Sequence, residues 1–529
     1  MVRRAAVIHR SPVFAIVPPL PEDPATLQRL LHEAQAEIER LQMLIAGLLR
    51  NRFGRRSEQL GEDAIDQGIE ELEQSLAEQA AKLASVQPKP SPSPQAVLPK
   101  RNRGSLPAHL PRVEVVVDVA SKTCPCCGAP LHFIAEDRAE MLDHVPAQVR
   151  VQVIRRPRYG CRVCEQAIVQ APAPERPIDG GMATEALLAH VLVSKYADHL
   201  PLYRQAQIFA RQGVTLDRST LCNWVGRACW WLEPLHELIL STVLASPKVV
   251  ADDTTLPVLD PGRGRTKTGR LWCYATDNRP WAGPGYPAAA YIYSEDRKGE
   301  HPASHLHGYQ GLLQVDGYAG FGRVVRDAGN KPPQLAFCWA HARRKFYDVH
   351  VATKSPIALE ALQRIAALYA SENDISGRSA EERQRERQQH SRPLVAALQN
   401  WLRTQLDRIS GRSKLAEAIR YALKHWEGLI RFLDDGRLEL DTNIVERAMR
   451  PIALGRKNAL FAGADSGGRH WSIIATLIQT AKLNDVEPLA WLTDVLMRMV
   501  SGQTKRQELD QLLPWNWILL SEPQVISSA

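Results

Sequence analysis

At 529 residues the chain is longer than one domain, and 44% hydrophobic with 23% charged residues excludes a wholly disordered or fibrous protein. The net charge of +8 points to a polyanionic partner, and no apolar run reaches the roughly 18 residues of a membrane span, which argues against a membrane protein. Five of the nine cysteines lie between Cys124 and Cys164, which is metal-site usage in a reducing compartment rather than a disulfide framework. No small-residue cleavage site follows the N-terminal apolar run, so the expected location is cytoplasmic.

In chain order, residues 1–24 are expected to be disordered. Across 25–87, Leu27, Leu31, Ala34, Ile38, Leu41, Ile45 and Leu48 alternate steps of four and three, a heptad seam. It suits a coiled coil that pairs two subunits; an amphipathic helix packed on its own chain is the other reading. Residues 88–105 turn to Pro, Ser, Lys and Arg, a semi-rigid basic linker.

A zinc-binding module is expected over 106–180. Cys124-Pro125-Cys126-Cys127-Gly128 and Tyr159-Gly160-Cys161-Arg162-Val163-Cys164 are two CxxC knuckles, each with Gly beside it for the tight turn. Between them Val149, Val151 and Val153 alternate with polar residues, as in a strand. The pattern is that of a zinc ribbon, with Cys124, Cys127, Cys161 and Cys164 as ligands of a structural Zn²⁺ and Cys126 spare; buried or redox thiols are the alternative. Arg150, Arg155, Arg156 and Arg158 stand where they would meet phosphates.

Residues 181–245 read as helical. Leu202–Arg211, a turn at Gln212-Gly213-Val214, and Ser219–Ala228 capped by Asp217 fit a helix-turn-helix. Leu221, Val225 and Ala228 would face inward. Arg218, Thr220, Asn223 and Arg227 would face outward, with groove-reading chemistry. A plain helical hairpin packed on the core fits almost as well.

Residues 246–346 carry the strand pattern: Val249–Asp252, Arg270–Thr276, Ala289–Ser294, Leu312–Val315 and Gln334–Cys338, then a helix Ala340–His350. The first strand is expected to be short and to end on Asp252 and Asp253, whose side chains point to opposite faces. A basic Gly-rich hairpin follows. Leu312–Val315 delivers Asp316. Residues 347–440 are helical and highly charged, an all-helical insertion whose Trp401 and Trp426 read as core residues. In 441–500, Asp441 would cap a helix bearing Glu446 and ending near Pro451, with Leu454–Asn458 a Gly-hinged basic loop. A helix Ile473–Leu483 follows, and 501–529 is a tail. Three carboxylates on separate elements suit hard divalent cations such as Mg²⁺. Two such ions about 4 Å apart are the usual apparatus for in-line displacement at a phosphodiester.

Four stretches carry a resemblance: Ala251–Thr254 with Leu259–Trp272, Leu313–Phe321, Cys338–Asp348 and Thr442–Gly463. Together they resemble the insertion sequence 66 family of bacterial transposases. The resemblance implies a multidomain α/β protein: a ribonuclease-H-like catalytic core with a helical insertion, preceded by the coiled-coil helix, zinc module and helix-turn-helix. It implies a DDE enzyme that binds its element's terminal inverted repeats, cuts a strand with two Mg²⁺ (Mn²⁺ as substitute), and joins the freed 3′-hydroxyl to target DNA. Asp252, Asp316 and Glu446 would hold the ions. Arg450, four residues from Glu446 on the same face, would clamp the scissile phosphate or pair with the acid, and Arg456 and Lys457 would meet DNA. Asp253 stands where the family usually has Glu, so it competes with Asp252 for first acid. A homodimer or higher oligomer, accessory proteins of the same element and a nucleoid-associated setting are also implied. A zinc/helix-turn-helix regulator without activity, and a metal-dependent nuclease without strand transfer, are the alternatives.

Overall fold

The computed structural model describes residues 148–160, 168–260 and 264–518. The expected N-terminal disorder, heptad helix and basic linker lie outside the described residues, as do Cys124, Cys127, Cys161 and Cys164. Flanking the second knuckle, β1 (Arg158–Gly160) pairs antiparallel with β2 (Ile168–Gln170). Residues 148–157 form no strand, so the Val149–Val153 alternation gives exposed chain rather than a ribbon strand among the described residues.

Three helices follow: α1 (Glu185–Tyr196), α2 (Leu202–Arg211) and α3 (Arg218–Leu244). Gly213 takes the left-handed φ of 78° that the turn after α2 requires. Asp217 sits at the N-cap of α3 but its side chain makes no capping bond. Helix α3 does not stop at Ala228. It runs 27 residues, because Leu232, Leu235, Ile239 and Val243 continue the buried stripe begun by Leu221 and Val225.

The centre is a five-stranded sheet in the order β5-β4-β3-β6-β7. β3 (Lys248–Val258), β4 (Lys267–Thr276) and β5 (Ala288–Ser294) are antiparallel; β6 (Leu312–Val315) and β7 (Gln334–Phe337) extend β3 in parallel. The short helices α4 (Glu300–His305) and α5 (Phe321–Asp327) lie between strands. β3 does not end on its carboxylates. It continues six residues past Asp252, paired with β4, whereas its parallel partner β6 stops at Val315.

Past the sheet come α6 (Trp339–Thr353), α7 (Pro356–Asn373), α8 (Ala380–Glu386), α9 (Arg392–Arg408), α10 (Lys414–Lys424) and α11 (Trp426–Ile430). No strand interrupts this run. The chain returns through α12 (Asn443–Asn458), α13 (Asp465–Leu483), α14 (Pro488–Val500) and a 3₁₀ turn at Arg506–Leu512. Pro451 neither ends nor breaks α12, so Leu454–Asn458 is helix, not loop. Gly455 there is a packing position: a Cβ would come within 3.1 Å of the Trp471 ring.

Two apolar cores result. One joins α1–α3, the sheet, α12, α13 and α14; the other lies within the helical run and includes Trp339, Ile365 and Trp426. β6 is divided between them: Leu313 and Val315 belong to the first and Leu312 to the second. The free edge of β5 is closed by α13. Thr480 accepts from the Ala289 N–H at 3.2 Å and donates to its carbonyl at 3.0 Å, while Thr476 accepts from the Tyr291 N–H at 2.9 Å.

Candidate active site

Asp252 and Asp316 are brought together by register. Ala251 pairs with Val315 across the parallel β3–β6 ladder, so Asp252 is the next residue of β3 and Asp316 the first residue past β6. Both strands reach this point as buried β-branched and apolar runs, which fixes their depth. Beyond Val315, Gly317 turns the chain at φ 95°, and the Tyr318 N–H donates to Asp316 Oδ1 at 2.8 Å. Glu446 enters from α12, which packs on β3 and β4. Asp441 is not the cap; Thr442 holds that position, and Asp441 accepts from the Asn443 N–H and amide at 3.3 and 2.8 Å. Thr442 Oγ1 donates to Glu446 Oε1 at 3.1 Å.

The two neighbouring aspartates have different surroundings. Asp253 is ion-paired with Arg297 at 2.9 Å and Arg270 at 3.2 Å, and burial still raises its pKa against these guanidiniums. Asp252 forms no ion pair with an arginine among the described residues, and Arg297 acts on it only as a more distant charge. Burial, then the facing charge of Asp316, push its pKa well up. That mutual repulsion is what a divalent cation relieves, so the donor set fits hard cations. Arg297 also reaches Asp316 at 3.8 Å and lies over the Tyr318 ring at 4.1 Å.

Gln314, Tyr421, Cys338 and His341 were not singled out as site residues in the sequence. Gln314, fully buried, donates to the carbonyls of Glu439 at 2.8 Å and Asp441 at 3.1 Å, tying the strand that bears Asp316 to the segment leading to Glu446. Tyr421 of α10 donates to the Asp316 carbonyl at 2.8 Å. Cys338, His341 and Glu446 bring a sulfur, a nitrogen and an oxygen within 4.8 Å of one another. Burial opposes the protonated imidazole of His341, but Cys338, Asp252 and Glu446 outweigh it and carry its pKa up to about 10. Burial, with Glu446 adding to it, lifts Asp441 to about 7. The Cys338-Trp339-Ala340-His341 spacing at a helix start was the one cue available.

Of the expected DNA contacts, Arg218, Asn223 and Arg227 are exposed on α3 and Thr220 is half-buried, while Leu221, Val225 and Ala228 face inward. Arg450 and Lys457 are exposed on α12. Arg456 departs from expectation: its guanidinium is bonded to the Thr255 carbonyl at 2.6 Å and to the Thr255 hydroxyl, fastening α12 to β3. Arg204 of α2 donates to Asn458 at 3.3 Å, which brings the helix pair to the basic end of α12. No helix among the described residues is long and apolar enough to cross a membrane.

Comparison with known proteins defines the class as transposase. The Transposase IS66 family model matches residues 180–470, the IS66 C-terminal element 476–515, the zinc-finger binding domain of transposase IS66 121–165, and the model described as Transposase C of IS166 homeodomain 40–115. The chain belongs to the IS66 family of transposases. It is also similar to three proteins of Sinorhizobium fredii (strain NBRC 101917 / NGR234), all described as uncharacterized. These are y4jD, 48% identical over 94% of this chain and 97% of that one; y4qI, 42% identical over 93% and 92%; and y4hP, 40% identical over 92% and 90%. The zinc-finger model spans all four cysteines of the two knuckles.

Proposed function

We propose that this chain is a DDE transposase that binds its element's ends, cuts a strand there and joins the freed 3′-hydroxyl to target DNA, with Asp252, Asp316 and Glu446 as the three acids. The observation that carries the reading is the parallel register of β3 and β6, which sets Asp252 beside Asp316, next to the helix bearing Glu446. The strand order, with three antiparallel strands extended by two parallel ones, supports a ribonuclease-H-like core. Asp253 is assigned to structure because two arginines already neutralise it.

Two Mg²⁺ ions, or Mn²⁺ in their place, would be held by these acids and would activate the attacking water or hydroxyl and stabilise the leaving oxygen. Asp252 presents its carboxylate from within β3 and Asp316 from the residue just past β6. Glu446 is aimed by the Thr442 hydroxyl. Arg297, half-exposed beside Asp316, is placed to meet a phosphate. Cys124, Cys127, Cys161 and Cys164 would hold a structural Zn²⁺. Arg218, Thr220, Asn223 and Arg227 would contact the inverted repeat, and Arg450 and Lys457 the DNA near the cut. We assign dimer formation to the heptad segment, and leave a role for accessory proteins of the element.

The test is cleavage of a labelled element-end duplex in Mg²⁺ or Mn²⁺ by wild type, Asp316→Asn and Glu446→Gln. Each variant keeps shape and removes a metal-binding charge. Wild type should nick at the end, and each variant should bind equally but cut about a thousandfold more slowly. Undiminished cutting by the variants would sink the three-acid assignment. Binding without cutting by all three proteins, even with the element's other proteins added, would favour a regulator.

A further inference from the structure

We propose that Cys338, His341 and Glu446 form a second metal site, for a soft divalent cation such as Zn²⁺, which shares Glu446 with the three-acid site and competes with it. The inference rests on that reading for its consequence, though not for the site itself. The three side chains supply one sulfur, one nitrogen and one oxygen, all within 4.8 Å of one another. Ligands around a tetrahedral Zn²⁺ stand about 3.5 Å apart, so closure by about 1 Å through side-chain rotation suffices.

The positions come from the starts of two helices. Cys338 is the residue before α6, and His341 lies three residues on, so the two share a face. Glu446 projects from the first turn of α12. The backbone holds these starts together: the Trp339 N–H donates to the Leu440 carbonyl at 2.8 Å. Thr442 Oγ1 stands 3.4 Å from Cys338 Sγ as well as 3.1 Å from Glu446 Oε1, an outer hydroxyl able to orient two ligands. Nδ1 of His341 is buried and has no hydrogen-bond partner. A structural histidine would normally spend that atom on a neighbour.

The donor set selects the metal. Thiolate and imidazole suit Zn²⁺ and Co²⁺ and are poor ligands for Mg²⁺, which the carboxylates of Asp252 and Asp316 suit. Three protein ligands leave one tetrahedral position open. A cation seated here draws Glu446 away from the other two acids. The consequence is zinc inhibition of strand cutting, through a site separate from the four-cysteine module.

The experiment uses the full chain, loaded with one equivalent of Zn²⁺ for the cysteine module and then titrated with Co²⁺ without DNA. Wild type should develop a thiolate-to-cobalt charge-transfer band that Cys338→Ser lacks. His341→Gln, which keeps the sulfur, should need about tenfold or more Co²⁺ for the same band. Bands of equal size and midpoint in all three proteins would overturn the proposal; should Cys338→Ser fail to fold, the His341→Gln midpoint decides it. In Mg²⁺-supported nicking, Zn²⁺ should inhibit wild type at about tenfold lower concentration than it inhibits Cys338→Ser, each relative to its own zinc-free rate. The cobalt band is read without catalysis. A band without nicking, with the element's other proteins added, therefore indicts the transposase reading, and nicking without a band indicts only this site.

Discussion

Adjacent residues with the same side chain can be separated by their company. Asp253 answers two arginines and Asp252 answers another acid, although both are equally buried in one strand. Asp253→Asn should therefore act on stability. It leaves Arg270 and Arg297 short of a partner, at a cost of about 2 kcal/mol, reduced by Arg297's partial exposure. Urea unfolding should show that loss while Mn²⁺ binding persists; lost metal binding at unchanged stability would reverse the two roles. Away from the site, His305 accepts or donates at 2.8 Å with the Tyr274 hydroxyl, and burial lowers its pKa from 6.5 to about 4. Between those values the unfolded chain binds a proton that the native state refuses. Stability thus rises from pH 4 to 6.5 and falls on acidification, by up to about 3 kcal/mol. His305→Gln should flatten this slope in urea midpoints measured at pH 4.5 and 6.5. The sequence singled out Asp252 and Asp316 because each follows an apolar run, and Glu446 because it stands near a helix start. It could not show which aspartate would meet the arginines, since Arg297 is 44 positions from Asp253.

At the scale of elements, strand positions were legible and helix ends were not. All five sheet strands were found, since short β-branched and apolar runs bounded by Pro and Gly leave few alternatives. The end of β3 was missed because the carboxylates mark where β6 stops, a property of its neighbour. Pro451 misled for a related reason: the intrinsic penalty of an internal proline is overridden by the packing of Ile452 and Gly455. Tyr421 shows what an inserted helix can do for a remote acid. Tyr421→Phe removes the bond to the Asp316 carbonyl and should cost about 1 kcal/mol of stability. It should also slow nicking while leaving duplex binding intact, as a gel-shift titration beside the cleavage assay would show. Thr480→Val strands a donor and an acceptor on the edge of β5. It should destabilise by about 2 kcal/mol and raise the tendency to aggregate, measured by light scattering on warming.

In the whole molecule the helical run after β7 has its own core yet is not independent of the sheet. Gln314 reaches the Glu439 and Asp441 carbonyls, and buried Lys248 at the head of β3 donates to the Arg437 carbonyl at 3.0 Å. Arg387, fully buried, draws Glu372 to 2.6 Å and takes the Leu438 carbonyl at 2.8 Å. Ile365→Ala, deep in the helical run, should therefore lower one shared transition in calorimetry by about 3 kcal/mol. Two separate transitions would show the run to be a self-standing unit.

β6 is only four residues long, and neither of its faces is spare. Leu313 and Val315 belong to one core and Leu312 to the other, while Gln314 holds the carbonyls of Glu439 and Asp441. It is a party wall, and neither household can rebuild its side alone. The helical run could not be exchanged for another by cutting at the helix boundaries, because a replacement would arrive without the half of β6 that fits it. A graft that carries Leu312–Asp316 along with the helices should keep its carboxylate in line, and one that leaves the strand behind should not.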